Sequence, residues 1–175
     1  MIRNISFMGA NLQLEDSLFY HTSFDYWISI NRDEGLVTFG LTPASHIKEG
    51  GYHSFEYFTQ EGETVVQGEP FALAITGKLK YLDVVASGVI ISLNRELEQS
   101  TASCQNAVGD SCWLASIRTG KEVEMLPDLI EFSYYVELLR MYEMHRTPPG
   151  TKGAVSPTCR SVYESIRKQK GVEGG

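Results

Sequence analysis

Lys78 stands between two short apolar segments and Lys80 near the start of the second, and this is the setting in the sequence that best suits a covalent attachment. Residues 71–76 and 79–86 each have the composition of a β-strand, and Gly77 and Lys78 lie between them. A lysine at the apex of a tight hairpin is exposed while its backbone is held in place. Such an amine can be acylated by an enzyme that recognises the hairpin. The same Gly-Lys pair is also a common solvent-exposed turn, and the hairpin alone favours that simpler interpretation.

The register of this hairpin is predicted from the positions of its apolar residues. A sheet with one solvent-exposed face requires the apolar side chains of both strands on the opposite, core-facing side. The facing pairs are then Phe71 with Val84 and Leu73 with Leu82. This register leaves Gly77 and Lys78 as a two-residue tip, with glycine first as a type II′ turn requires and a type I′ turn accepts. It predicts Lys78 in water at the apex and Lys80 opposite Ile75, nearer the body of the sheet.

Short predicted strands bounded by turn residues occupy most of the chain, and this pattern favours a β-sandwich or barrel. A strand at 26–30 and another at 36–41 form a probable hairpin around the polar turn 31–35. The other predicted strands are 52–58, 64–66, 71–76, 79–86, 89–93 and 113–117.

Three helices are predicted. Thr42 and Pro43 are typical of an N-cap and a first helical residue, and this short helix ends at the Gly50-Gly51 pair. Apolar residues recur at steps of three and four between Leu126 and His145, which indicates an amphipathic helix or helix pair. A short basic helix follows at 157–170.

Composition and charge exclude some classes of partner. The 175 residues carry 15 basic and 22 acidic side chains, a formal net charge of −7. An acidic surface disfavours binding to nucleic acid or to anionic lipid. No segment approaches the roughly 18 apolar residues of a membrane span, and the start of the chain does not resemble a secretory signal. We therefore predict a cytoplasmic protein that binds neither nucleic acid nor membrane.

The sequence offers no predicted metal site and no catalytic grouping. The chain has an odd number of cysteines, and no pair shows Cys-x-x-Cys spacing. We therefore expect free thiols in a reducing compartment at Cys104, Cys112 and Cys159. No serine, cysteine or acidic residue has the motif context of a catalytic group beside a histidine. Four histidines are scattered along the chain and are expected to be structural or surface residues: His21, His46, His53 and His145.

The neighbourhood of Lys78 resembles the attachment region of lipoyl and biotinyl carrier domains. In that pattern a Gly-Glu turn, an apical lysine and a Ser-Gly turn follow in order, as Gly68-Glu69, Lys78 and Ser87-Gly88 do here. Biotin carriers usually place the lysine between two methionines. Because its neighbours here are Gly77 and Leu79, the resemblance favours lipoate.

The flanking segments resemble the glycine cleavage system H protein family. In that family an aromatic hairpin ends in a strand with a tryptophan, here Trp27, and a Gly-Ile-Thr or Gly-Leu-Thr segment then opens a helix, as residues 40–43 do. Asn94 and Trp113-Leu114 follow in the family's order. The resemblance covers about residues 15–145 and indicates a divergent H-like paralogue. It implies a mainly β, lipoyl-domain-like β-sandwich, or barrel-sandwich hybrid, with C-terminal helices.

The resemblance also implies a domain organisation. Residues 1–20 are predicted as an N-terminal extension and 21–120 as the lipoyl-type sandwich. Residues 121–146 are predicted as a helical segment packed on the sandwich. Residues 147–175 are predicted as a linker, a short basic helix and a tail.

The function implied by the resemblance is that of a carrier, not of an enzyme. Lipoate would be attached to Lys78, with Lys80 as the lesser candidate, by a lipoate ligase. The arm would move an intermediate, an aminomethyl group in glycine cleavage, between the enzymes of a multienzyme system. Where the family usually has glutamate three residues before the lysine, this chain has Ile75. Two alternatives stay open: a lipoate-binding protein of a sulfur-oxidising heterodisulfide-reductase-like system, and an unlipoylated binding scaffold.

Overall fold

The computed structural model describes residues 1–104, 112–120 and 128–146, and within these ranges the chain is mainly β. The chain divides into two units, Met1–Glu143 and Met144–Gly175, and the first is described below. The predicted linker, basic helix and tail at 147–175 lie outside the described residues.

The described ranges contain strands, two α-helices and two short 3-10 turns. The helices are α1 (Pro43–Glu49) and α2 (Phe132–Met144), and the 3-10 turns are Arg95–Glu98 and Ala102–Cys104. The strands are β1 (Ile2–Phe7), β2 (Ala10–Glu15), β3 (Phe19–His21), β4 (Tyr26–Asn31), β5 (Leu36–Leu41), β6 (Ser54–Tyr57), β7 (Thr64–Val65), β8 (Pro70–Ile75), β9 (Leu79–Asp83), β10 (Gly88–Leu93), β11 (Trp113–Arg118) and β12 (Leu129–Glu131).

These strands form one large sheet, one small sheet and a two-stranded ribbon. The large sheet has seven strands in the order β12-β3-β4-β5-β11-β10-β7, and the small sheet has the order β6-β8-β9. The ribbon is β1-β2. Each strand predicted from the sequence is present, with its ends moved by a few residues. The predicted β-sandwich is confirmed.

The main hydrophobic core lies between the large and the small sheet. Ile28 and Phe39 from the large sheet are fully buried in the same cluster as Phe71 and Leu82 from the small sheet. The Phe39 and Phe71 rings meet edge to face, with centroids 5.5 Å apart. Aromatic contacts of this kind add to the burial of apolar area that holds two sheets together.

A second hydrophobic cluster joins the ribbon and α2 to the large sheet. Phe7 and Leu14 of the ribbon are buried with Trp27 of β4 and with Tyr135 of α2. The rings of Tyr20 and Tyr135 stack at 4.5 Å. The segment predicted as an N-terminal extension is thus paired into strands that share this cluster.

The helix α1 begins and ends as the sequence predicts. The Thr42 hydroxyl accepts a hydrogen bond from the Ser45 backbone N–H at 3.2 Å, and Pro43 is the first helical residue. At the other end Gly50 adopts a left-handed conformation with φ 76°. This conformation lets the last turn of the helix close without the penalty that a side chain would bring.

The C-terminal helix begins later than predicted. Periodicity placed its start near Leu126, whereas α2 begins at Phe132. The strand β12 precedes it and pairs with β3, from Leu129 opposite His21 to Glu131 opposite Phe19. A three-residue strand is too short for its alternation to be separated from a helical period. No helix in the described part of the chain is long and apolar enough to span a membrane.

The expectation of free thiols is wrong for Cys104 and Cys112, which form a disulfide. Their Cα atoms lie 4.7 Å apart, within the range that a disulfide requires. The 3-10 turn that ends at Cys104 and the start of β11 bring the two residues together, an approach that their spacing in the sequence does not reveal. Cys159 lies outside the described residues.

We expect the disulfide to contribute to stability. Replacing Cys104 and Cys112 together with alanine should lower the free energy of unfolding by about 2–4 kcal/mol, because the open chain has more unfolded conformations. Urea denaturation with and without dithiothreitol would measure this loss. The reductant should destabilise the wild-type protein and a Cys159→Ala control, but not the double variant. A wild-type protein that is insensitive to reductant would contradict the prediction.

Candidate functional site: the lysine hairpin

The hairpin β8–β9 carries both candidate lysines, and its register differs from the predicted one by one residue. Leu73 pairs with Tyr81, and Lys80 pairs with Ala74, so the predicted partner Ile75 is wrong. The last pair is Ile75 with Leu79. The tip therefore has three residues, 76–78, where a two-residue turn was expected.

A β-bulge at Phe71 explains the shift. The pairing changes register between Pro70, which faces Asp83, and Ala72, which faces Leu82. Both Phe71 and Ala72 are buried, which strict alternation would not allow. Beyond the bulge the small residues of β8 face the core, and the larger apolar residues predicted for that role face outward.

The tip is fixed by hydrogen bonds from Thr76 to Lys78. The Thr76 backbone N–H donates to the Lys78 carbonyl at 2.9 Å, and the Thr76 hydroxyl donates to the same oxygen at 3.1 Å. The Lys78 backbone N–H donates to the Thr76 hydroxyl oxygen at 3.3 Å. One threonine thus binds both polar backbone groups of Lys78.

The two lysines have different surroundings. The side chain of Lys78 is 72% exposed, and its ammonium lies 3.5 Å from Glu49 Oε2. The side chain of Lys80 is 18% exposed, and its ammonium donates to Glu49 Oε1 at 2.7 Å. Lys78 therefore presents its amine to solvent, whereas Lys80 is held against the last residue of α1.

Glu49 is a carboxylate shared by two cations. Burial raises the pKa of Glu49, but the hydrogen bond from Lys80 and the charges of both lysines lower it by more. The net pKa therefore lies below the ordinary value of 4.5. Glu49 is accordingly charged at neutral pH and attracts both lysines.

The helix that carries Glu49 is itself anchored in the sandwich. The ammonium of the preceding residue, Lys48, donates to Asp25 Oδ1 at 2.8 Å, and the Tyr135 hydroxyl donates to the same oxygen at 2.9 Å. The Lys48 ammonium also lies 4.6 Å from the centre of the Tyr142 ring. These contacts fix the position from which Glu49 reaches the hairpin.

The outer face of the small sheet is apolar beside the tip. Leu79 is 63% exposed, Tyr81 is 61% exposed, and Ile75 and Phe58 are also exposed. The Phe58 and Tyr81 rings lie 6.1 Å apart. The exposed amine of Lys78 is thus flanked by apolar side chains on the outer face of the hairpin.

The chemistry available at the site is that of a primary amine. At the exposed apex of a fixed hairpin such an amine is open to acylation. Within the described ranges, no group of three or more His, Cys, Asp and Glu side chains is placed to hold a metal ion. The predicted candidate Lys80 lies in the same hairpin, but its amine points toward α1.

Sequence reasoning missed Glu49. It lies 29 positions before Lys78, and it reaches the hairpin because α1 ends beside the tip. The one available signal is that an acidic residue directly precedes the Gly50-Gly51 pair that ends a predicted helix. That signal places Glu49 at a helix end but does not identify its partners.

The fold is similar to that of a glycine cleavage system H protein from Mycobacterium marinum. The two structures superpose with a TM-score of 0.60 over 71% of this chain and 97% of that chain, at 23% sequence identity. No protein-family model and no curated protein sequence matches the chain. The likeness establishes an H-protein-like fold.

Proposed function

We propose that this protein is a lipoyl carrier of a multienzyme system and that Lys78 is the attachment residue. The observation that carries the proposal is the 72% exposed Lys78 side chain at the apex of a hairpin in an H-protein-like sandwich. The protein would not catalyse a reaction itself. It would present the modified lysine to partner enzymes in turn.

The residues around Lys78 suit this role. Thr76 holds the backbone of Lys78, so a ligase meets a hairpin of defined shape. Leu79 and Tyr81 add apolar area that the same enzyme can cover. When bound, the lipoyl group supplies a dithiolane that accepts an intermediate at one enzyme and gives it up at another.

The intact mass of the protein tests the proposal. Production alongside a lipoate ligase with lipoate should add the mass of one lipoyl group to the wild-type protein. The gain should be absent from Lys78→Arg, which keeps the charge but cannot form the amide, and present in the matched control Lys80→Arg. No gain in the wild-type protein with the ligases of its native host would refute the carrier.

A second assay tests the pathway. We propose glycine cleavage as the first assignment because a structural neighbour is an H protein of that system. The lipoylated protein should then support decarboxylation of glycine by the decarboxylase of its native host, and Lys78→Arg should not. A lipoylated protein that fails here but supports sulfur oxidation by a heterodisulfide-reductase-like complex would establish the alternative assignment.

An unmodified binding scaffold is the second candidate, and the apolar outer face of the small sheet favours it. Phe58, Ile75, Leu79 and Tyr81 are exposed there together, and contiguous exposed apolar residues mark interaction surfaces. In this case the mass would stay unchanged in every variant. The intact-mass measurement thus separates the two candidates.

A further inference from the structure

Two amines lie close together in the hairpin, yet a carrier with one arm needs only one of them to be modified. Lys78 is the last residue of the tip, Lys80 belongs to β9, and only Leu79 separates them. Both ammonium groups reach the same carboxylate, that of Glu49. The sequence of the hairpin alone therefore does not determine which amine reacts.

The contacts with Glu49 are unequal. Its Oε1 accepts a hydrogen bond of 2.7 Å from Lys80, whose side chain is mostly buried. Its Oε2 lies 3.5 Å from the ammonium of Lys78, whose side chain is mostly exposed. A short, charge-assisted hydrogen bond at a sheltered position is stronger than a long ion pair in water. Glu49 therefore restrains Lys80 more than it restrains Lys78.

We infer that Glu49 determines which lysine is acylated, by holding the Lys80 amine inside the site and leaving Lys78 as the acceptor. This inference rests on the proposed carrier function for its biological meaning. Glu49 is a positioning residue in this scheme, since it touches the lysines and takes no part in the acyl transfer.

The chemical step defines what Glu49 must prevent. The lysine nitrogen attacks the carbonyl carbon of an activated acyl adenylate, an amide bond forms, and the bond from that carbon to the phosphate oxygen breaks. Adenosine monophosphate leaves, and the amine releases a proton to solvent. The attacking nitrogen must be free to enter the active site of another protein. Lys80 meets this condition only after its hydrogen bond to Glu49 is broken.

Competitive labelling of the purified protein tests the inference without a ligase. The probe is the N-hydroxysuccinimide ester of acetic acid at low conversion, with acetylation of each lysine quantified by peptide mass spectrometry. The amine nitrogen displaces N-hydroxysuccinimide from the same kind of carbonyl and releases a proton. In the wild-type protein Lys78 should react faster than Lys80. In Glu49→Ala the ratio of the two rates should fall by about tenfold, the loss of one hydrogen bond to a charged group. In Glu49→Gln the ratio should fall by less, because the amide oxygen can still accept a hydrogen bond from Lys80 but no longer carries a charge.

A matched control separates the role of Glu49 from a general loss of negative charge. Glu56 is an exposed carboxylate of the same small sheet and makes no ion pair among the described residues. Glu56→Gln should leave the labelling ratio unchanged. Melting temperatures identify any variant that has lost its fold. An unchanged ratio in folded Glu49→Ala and Glu49→Gln would overturn the inference.

Lipoylation in cells gives a second readout. With a lipoate ligase and lipoate, Lys78→Arg should stay unmodified, whereas Lys78→Arg with Glu49→Ala should carry lipoate on Lys80. A double variant that stays unmodified while the wild-type protein is lipoylated would refute the selecting role of Glu49 alone. A wild-type protein that is never lipoylated would refute the carrier proposal, and the labelling ratio would still decide the role of Glu49 in lysine reactivity.

Discussion

Replacing Phe71 with alanine is expected to lower the free energy of unfolding by about 3–5 kcal/mol. Its ring is fully buried between the sheets, 5.5 Å from Phe39 of the large sheet and 5.9 Å from Tyr57 of the small sheet. Truncation removes contacts with both layers and leaves a cavity that rigid strands cannot fill. Urea denaturation followed by tryptophan fluorescence would measure the loss.

Phe58→Ala is the matched control for this prediction. Phe58 directly follows β6 in the small sheet but is 48% exposed, and its ring meets that of Tyr81 on the outer face. Its removal should cost less than about 1 kcal/mol, because nearly half of its surface is already in water and it fills no space between the two sheets. Equal losses from the two substitutions would show that Phe71 does not join the two sheets.

The second large effect is expected from Gly40→Ala, with a loss of about 3 kcal/mol. Gly40 of β5 faces Trp27 on one neighbouring strand and Trp113 on the other. A Cβ atom there would overlap the Cys112 carbonyl oxygen and lie 2.7 Å from the Trp113 Cα. Backbone atoms cannot move aside as the end of a side chain can, so the strands must separate locally.

Gly77→Ala is the control for the loss of a glycine. A Cβ at the hairpin tip would meet no atom within 4 Å, and Gly77 does not have a positive φ. Stability should stay within about 1 kcal/mol of the wild-type value, since the substitution mainly restricts the unfolded chain. Thermal melts of both variants would compare them. A Gly40→Ala protein as stable as Gly77→Ala would contradict the close approach at Gly40.

Local sequence signals predicted much of the fold. The strands, the cap at Thr42 and the helix end at Gly50 depend on nearby residues, and the structure confirms each of them. The position of Lys78 at the exposed tip was also predicted. These features need only alternation, capping preferences and turn residues.

Features that depend on tertiary contacts were not predicted. The bulge at Phe71 forms because its ring fills the core beside Ala72, and this shifts every later pair in the hairpin. The disulfide joins Cys104 and Cys112 because the end of a 3-10 turn lies beside the start of β11. Glu49 reaches Lys80 because the end of α1 lies beside the hairpin. Periodicity within one strand contains no information about contacts between residues that are distant in the sequence.

The hydrogen bonds between Thr76 and Lys78 fix the backbone position from which the Lys78 side chain extends. Because one threonine binds both polar backbone groups of Lys78, the base of the lysine side chain moves with the sheet. The reach of any group attached to its amine would therefore be set by the length of the lysine side chain and of the attached group, and not by motion of the loop. For a tether of given length, the effective concentration at a partner's active site falls steeply once that site lies beyond its reach. If Lys78 carries an arm as proposed, the distance between the docked partner's active site and the hairpin tip would set how often the arm reaches it.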